Sequence, residues 1–269
     1  KDIIRAKRNH YVKSIENNKG NPKLMWKHIN CLLNKKNKST TVDSIKTDAG
    51  DMSDHQKISE LFNEYFSNIG PILSDQITDS NSQEFEQFMN EVSETFKFSA
   101  IDSSTVLNEL GNLSSSKSTG PDNIHIKLLK DSKEVVAPLL AHIFNVFINN
   151  GIFPNKLKIA RVSPIYKEGD KKERGNYRPI SVLSNVAKLF EKLVYIQLMN
   201  YLNANKILSP CQSGFRQNHS TMSSLISNTD SWLVNMDAGL INGVIFLDLR
   251  KAFDTVDHEI LLKKLKFYG

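Results

Sequence analysis

Cysteine is scarce in this chain, with Cys31 and Cys211 the only two in 269 residues. They stand far apart and form no metal-ligand spacing, which fits a reduced intracellular protein. Long hydrophobic runs are missing too. The longest apolar stretch, residues 135–148, is interrupted by Pro138, His142 and Asn145 and is too short and too polar to cross a bilayer, so no membrane partner is expected. The opening K-D-I-I-R-A-K-R has no apolar signal-peptide core. Lys1 is not a methionine, which fits a piece cut from something longer. No internal repeat is visible. The K-S-T-G at 117–120 invites a phosphate-loop reading, but the Walker spacing is absent and the reading is rejected.

Hydrophobic residues make up 39% of the chain, enough for a core, and charged residues 24%, ordinary for a globular protein. The net charge is +6 and the pI near 9.1, which suits an acidic partner such as nucleic acid but is shared by other basic proteins. The charge is uneven. Residues 1–40 carry 11 Lys/Arg against 2 Asp/Glu, and residues 41–100 carry 3 against 12. The basic start reads either as a track for a phosphate backbone or as a solvated helix face.

Residues 1–38 read as two basic helices broken at Gly20-Asn21-Pro22. The second has Leu24, Met25, Trp26, Ile29, Leu32 and Leu33 at helical spacing, with Trp26 read as core. A polar link follows over 39–50. A helix is expected over 54–69, with Ile58, Leu61, Phe62, Tyr65 and Phe66 on one side and Gly70-Pro71 as its stop. The acidic stretch 74–98, with a short helix expected around Phe85 and Phe88, is the candidate boundary. It divides an N-terminal extension, residues 1–100, from the main domain, residues 101–269.

Ser103 to Leu113 reads as a helix capped by Asp102 or Ser103. Gly120-Pro121 turns the chain, and Asp122 is placed to cap the helix after it. Residues 132–150 give the cleanest helix, with Val135, Val136, Leu139, Leu140, Ile143, Phe144, Phe147 and Ile148 as its core residues. Strands over 159–166 and 176–181 form a hairpin. Helices follow over 184–202 and, after a Ser220-Thr221 cap, over 221–236.

Two places carry chemistry. The hairpin can set Lys167 and Arg178 on one surface, where two cations hold a triphosphate, Arg in bidentate fashion and Lys as a point charge. The other reading pairs them with Glu168, Asp170 or Glu173. The second place is Gly243 to His258, G-V-I-F-L-D-L-R-K-A-F-D-T-V-D-H. Val244 to Leu247 is a short apolar run that reads as a buried strand. Asp248 ends it, as a metal ligand or as a turn cap, since a desolvated carboxylate needs a partner. Asp254 and Asp257 are spaced to cap a further helix with Ile260, Leu261 and Leu265 buried. His258 is read as structural rather than as a general base.

Asp248-Leu249-Arg250-Lys251-Ala252-Phe253-Asp254-Thr255-Val256-Asp257-His258 closely resembles the first catalytic motif of reverse transcriptases, more narrowly those of non-LTR, jockey-like retrotransposons. P-I-Y-K-E-G-D followed by Y-R-P-I-S resembles their fingers motif, with Leu157 where the family usually has Trp. Q-S-G-F-R-Q-N-H-S-T resembles the motif after it, and Lys117, Gly120, Pro121, Asp122 and Ile124 resemble the N-terminal extension motif. The resemblance implies that Asp248 and the backbone carbonyl of Leu249 bind Mg²⁺. It also implies that Lys167 and Arg178 contact the incoming nucleotide's phosphates, and that Phe253 lies under its sugar and excludes ribonucleotides. Gln212 and Arg216 would face the template cleft.

The implied partners are an RNA template, a DNA primer and deoxynucleoside triphosphates. The implied location is the cytoplasm and nucleus, as a ribonucleoprotein. The implied reaction is primer extension with two Mg²⁺ ions. The family's second metal motif, an aromatic residue followed by x-Asp-Asp, is not found in the sequence. The expectation is a fragment that does not polymerise alone, and whose parent polyprotein supplies endonuclease, remaining palm and thumb. A decayed copy acting only as a nucleic-acid-binding protein is the other reading. A group II intron maturase is a third, disfavoured by A-F-D-T-V-D-H with Y-R-P-I-S. The expected fold class is α+β: a helical N-terminal extension, then the fingers and partial palm of a right-hand polymerase, with an unpaired edge beside Val244.

Overall fold

The structure, a computed structural model, describes residues 2–32, 41–74, 87, 89, 92–116, 118–249 and 251–269. It divides into two compact units, Lys1–Ser44 and Ile45–Gly269. The first contains α1 (Asp2–Asn17) and α2 (Pro22–Leu32). Pro22 opens α2 at the position where its missing N–H costs nothing, and the Asn21 side chain accepts from the Leu24 N–H at 3.2 Å. The Tyr11 hydroxyl meets the Cys31 Sγ at 3.1 Å across the helix pair. Trp26, expected as core, is 56% exposed: the contacts within this unit are made by Tyr11, His28 and Cys31 instead. Leu33 lies outside the described residues.

The second unit runs β1 (Ile45–Thr47), β2 (Gly50–Met52), α3 (His55–Ser74), α4 (Ser103–Asn112), α5 (Ile126–Asp131), α6 (Lys133–Asn149), α7 (Asn155–Lys158), β3 (Ala160–Tyr166), β4 (Tyr177–Leu183), α8 (Asn185–Ala204), α9 (Thr221–Asp237) and α10 (His258–Phe267). Its described residues mix helix and strand, as expected of an α+β chain. The polar link expected over 39–50 is in part a hairpin. Ile45 pairs with Met52 and is fully buried, and Gly50 takes the left-handed φ of 113° that the tight turn requires.

The core is helical. Val106 and Leu110 of α4, Ile126 and Leu129 of α5, Leu140 and Phe144 of α6, and Leu189, Phe190 and Leu193 of α8 are buried together. Phe144 stacks on Phe190 with ring centroids 4.9 Å apart. Each such fully buried side chain contributes roughly 1.5–3 kcal/mol. Local signals fixed the helix starts. Asp102 caps α4 by accepting from the Ser104 N–H at 2.9 Å, and Ser184 caps α8 through the Ala187 N–H at 3.0 Å. Ser220 and Ser223 form a reciprocal capping box on α9.

Several expectations fail on burial. In α6 the small Ala137 and Ala141 join Leu140 and Phe144 in the core, which turns Val135, 72% exposed, with Leu139 and Ile143 outward. Asp122 does not cap a helix: it holds the turn through the Ile124 N–H, and α5 starts later, at Ile126. Gly70-Pro71 does not stop α3, which continues to Ser74, since Pro71 lies close enough to the end to disturb only the last turn. The helix expected near Phe85 and Phe88 lies outside the described residues.

The largest difference is at Val244 to Leu249. The stretch forms no strand, and Phe246 is 88% exposed. A strand needs a backbone partner. Among the described residues β1 pairs only with β2 and β3 only with β4, so nothing lies alongside it. Ile260, Leu261 and Leu265 of α10 are exposed for the same reason, although Asp257 caps that helix as expected, through the Glu259 and Ile260 N–H groups.

Candidate functional site

The β3–β4 hairpin is held from both sides. Tyr177 is buried, its ring 5.0 Å from Phe62 of α3 in an edge-on contact. Beyond the strands the chain turns through Gly169, at φ 89°, and a 3-10 turn at Arg174–Asn176. The first hairpin braces this turn: the Lys46 N–H donates to the Lys172 carbonyl at 2.9 Å, and Lys172 pairs with Asp51. That pairing holds the Lys172 ammonium above its ordinary pKa.

Register then decides which side chains share a face. Ile165 lies opposite Arg178, and the Lys167 N–H donates to the Asn176 carbonyl at 2.8 Å, continuing the ladder. Lys167 is two residues beyond Ile165, so by strand alternation it shares a face with Arg178. Glu168 sits with both. Its carboxylate is 2.9 Å from the Lys167 Nζ, and that hydrogen bond and charge hold its pKa below the usual range, with Arg178 adding a smaller pull. The two cations are thus together, and Lys167 also makes the exposed ion pair that was its alternative reading. Such exposed pairs are weak and readily exchanged.

Gln212 and Arg216 share one loop, and both turn back on it. Arg216 donates to the carbonyls of Ser209 at 3.0 Å and Gln212 at 3.4 Å, while the Gln212 amide donates to Gly214 at 3.2 Å. This loop and the start of α9 line an open depression of about 430 Å³ that includes Phe215, Arg216 and His219. Phe253 stands 81% exposed on the 251–255 turn, its ring edge-on to Phe215 at 6.0 Å. The loop and the turn therefore meet through two aromatic rings.

Asp248 and Leu249 are exposed on the extended stretch. Among the described residues Asp248 belongs to no cluster of three or more His, Cys, Asp or Glu that could hold a metal ion. Two Mg²⁺ ions require more protein donors than a smaller group supplies. The donors present do not make a two-ion site.

One part of the site was not read from the sequence. The turn after Asp248 is tied to α3: Lys251 donates to the Tyr65 hydroxyl at 3.0 Å, and the Asp254 carbonyl lies 2.8 Å from where a Cβ on Gly70 would stand. The sequence places Tyr65 only on the apolar side of a helix, and Gly70 only as its stop. The sequence carries no local sign of either contact, because the partners are about 185 residues away.

A family model described as reverse transcriptase (RNA-dependent DNA polymerase) matches residues 167–269. The chain is similar to the probable RNA-directed DNA polymerase from transposon BS of Drosophila melanogaster, 36% identical over 151 residues, 56% of this chain and 17% of that protein. It is 31% identical over 169 residues to the RNA-directed DNA polymerase from mobile element jockey of the same species, 62% of this chain and 18% of that protein. An uncharacterized 149 kDa protein of transposon TX1 from Xenopus laevis is 25% identical over 272 residues, 100% of this chain and 19% of that protein. The chain thus spans less than a fifth of the curated relatives it matches. Residues 167–269, which hold Lys167, Arg178, Asp248 and Phe253, thus carry the match to the reverse transcriptase model, and the similar proteins are named as RNA-directed DNA polymerases of mobile elements such as jockey.

Proposed function

We propose that this chain is the fingers and the first palm segment of an RNA-directed DNA polymerase that extends a DNA primer along an RNA template. The observation that carries the reading is the placement of Lys167 and Arg178 on one hairpin face, inside the segment that matches the family. Arg178 offers a planar fork to a triphosphate, and Lys167 a mobile point charge that exchanges Glu168 for phosphate oxygens. Phe253 presents an exposed ring to the sugar. Gln212 and Arg216 border the template side. Residues 1–100 are an extension to this polymerase portion, residues 101–269, and the site of action is a ribonucleoprotein in cytoplasm and nucleus.

Reverse transcriptases generally use a divalent metal, typically Mg²⁺. Asp248, with the Leu249 carbonyl, is one part of that ligand set, and among the described residues it belongs to no cluster of three or more His, Cys, Asp or Glu. The chain by itself therefore holds a nucleotide but does not join it to a primer. The Val244–Leu249 stretch is a palm strand whose pairing partners lie in the remaining palm. A role in nucleic-acid binding alone has no observation in its favour over this one.

The test is equilibrium binding of dATP. Arg178→Ala, which removes a charged hydrogen-bonding group, weakens binding about tenfold or more, and Lys167→Ala less. Binding unaffected by both substitutions overturns the reading. Incorporation of labelled deoxynucleotide on an RNA template by this chain, abolished by Asp248→Ala, overturns the claim that it does not polymerise alone.

A further inference from the structure

Tyr65 sits half-buried on α3, and polar and cationic groups from the two turns of the candidate site meet it. The Lys251 Nζ donates to its hydroxyl at 3.0 Å and lies 4.7 Å from the ring centroid. The Arg174 guanidinium lies 5.8 Å from the same centroid, and the hydroxyl is 3.4 Å from the point a Cβ on Gly175 would occupy. Two like charges gather at one ring because its π-face is negative, and either alone is worth little at an exposed site. Lys251 itself is held at φ 50°, a left-handed conformation that a residue with a Cβ adopts only when something holds it. Five residues along α3, Gly70 leaves room for the Asp254 carbonyl at a separation no side chain tolerates.

We propose that Tyr65 is a positioning residue. It fixes the 251–255 turn, and with it the Phe253 ring, against α3 and the Arg174 turn of the fingers hairpin. This makes α3 a working part of the nucleotide site. The inference rests on the proposed function for its consequence, the placement of Phe253 beneath a sugar, and on geometry alone for the brace itself. The chain of contacts is short: Tyr65 to Lys251, then two residues to Phe253, whose ring also meets Phe215 edge-on.

Hydrogen–deuterium exchange of the full chain tests the brace. The Asp254 N–H closes the turn onto the Lys251 carbonyl at 2.8 Å and is the reporter, with the amides of α6 as the reference. Tyr65→Leu removes hydroxyl and ring and speeds exchange at Asp254 about tenfold, while Tyr65→Phe keeps the ring and speeds it about threefold. The α6 amides stay unchanged in both. No change at Asp254 in Tyr65→Leu overturns the proposal, as does an equal acceleration in α6, which would make Tyr65 ordinary packing.

Binding of dATP and ATP to the same variants then separates the two readings. Preference for dATP over ATP narrows by about threefold or more in Tyr65→Leu and is largely restored in Tyr65→Phe. A preference unchanged by Tyr65→Leu overturns the positioning role and leaves the proposed function standing. Absence of any nucleotide binding in the unaltered chain, with the exchange result intact, removes the proposed function and leaves the brace.

Discussion

Gly120 offers the sharpest test of how the helical core joins the β3–β4 hairpin. It is buried, and a Cβ built on it stands 2.5 Å from the Ser184 nitrogen, 2.6 Å from the Ser184 Cα and 2.7 Å from the Leu183 carbonyl carbon. Ordinary contact begins near about 3.5 Å, so Gly120→Ala demands roughly 1 Å of movement. Every atom it meets is backbone, at the junction where β4 ends and Ser184 caps α8. No side chain can swing away, which puts the strain in the upper part of the usual overpacking range, about 2–3 kcal/mol. Alanine returns about 0.4–1 kcal/mol by stiffening the unfolded chain. The net loss is about 2 kcal/mol, or a fall in Tm of roughly 4–8 °C for a unit of this size. Gly111→Ala is the control: it lies in α4 with nothing within 4 Å of its Cβ, and the same exchange raises Tm there by a few degrees, about 1–4 °C. Thermal melts followed by circular dichroism read both. A Gly120→Ala chain that melts at or above the unaltered one, beside a stabilised Gly111→Ala, refutes the contact.

Phe144→Ala empties the centre of the core, where the ring is fully buried and stacks on Phe190, and costs about 3–5 kcal/mol by urea titration. Asp102 is held below the usual carboxylate pKa by hydrogen bonds from Ser104, so its cap contributes fully above the unfolded value and is lost as pH falls through the lowered folded one. The Tm advantage of the unaltered chain over Asp102→Asn therefore shrinks below about pH 4, and an advantage constant down to pH ~3 contradicts the assignment. Leu247→Lys, at a position 88% exposed, changes stability by less than about 0.5 kcal/mol and lowers self-association in light scattering. A large loss of stability there would mean the stretch is covered in the isolated chain.

What the sequence disclosed was local. Asp102, Ser184 and Ser220 act on amides two or three residues away, and each starts the helix that its position implied. The hairpin register follows from two alternating strands and a charged loop, and it set Lys167 beside Arg178 as expected. Burial was less legible, because periodicity says which residues share a face and not what lies against it. In α6 two apolar faces competed, and the face with the alanines won the core, where small side chains let α4 come close. Gly70 is no stop, and Gly120 does open the expected turn, but both also admit a backbone, that of Asp254 and of Ser184, which the sequence does not disclose. Tyr65 escaped notice because Lys251 is distant in sequence.

The exposed stretch at 244–249 joins these threads. Ile245, Phe246, Leu247 and Leu249 are apolar on both sides of an extended chain, the pattern of a strand covered on both faces. Covering four such side chains would contribute roughly 6–12 kcal/mol, as much as the net stability of a whole domain. Asp248 lies in the middle of them. Any surface that covers Leu247 and Leu249 also strips water from that carboxylate, at a cost that only a cation or strong hydrogen-bond donors offset. Completing the strand and giving Asp248 its charge partner are therefore one event. Here Asp248 is exposed and the stretch unpaired together, beside a well-formed β3–β4 hairpin.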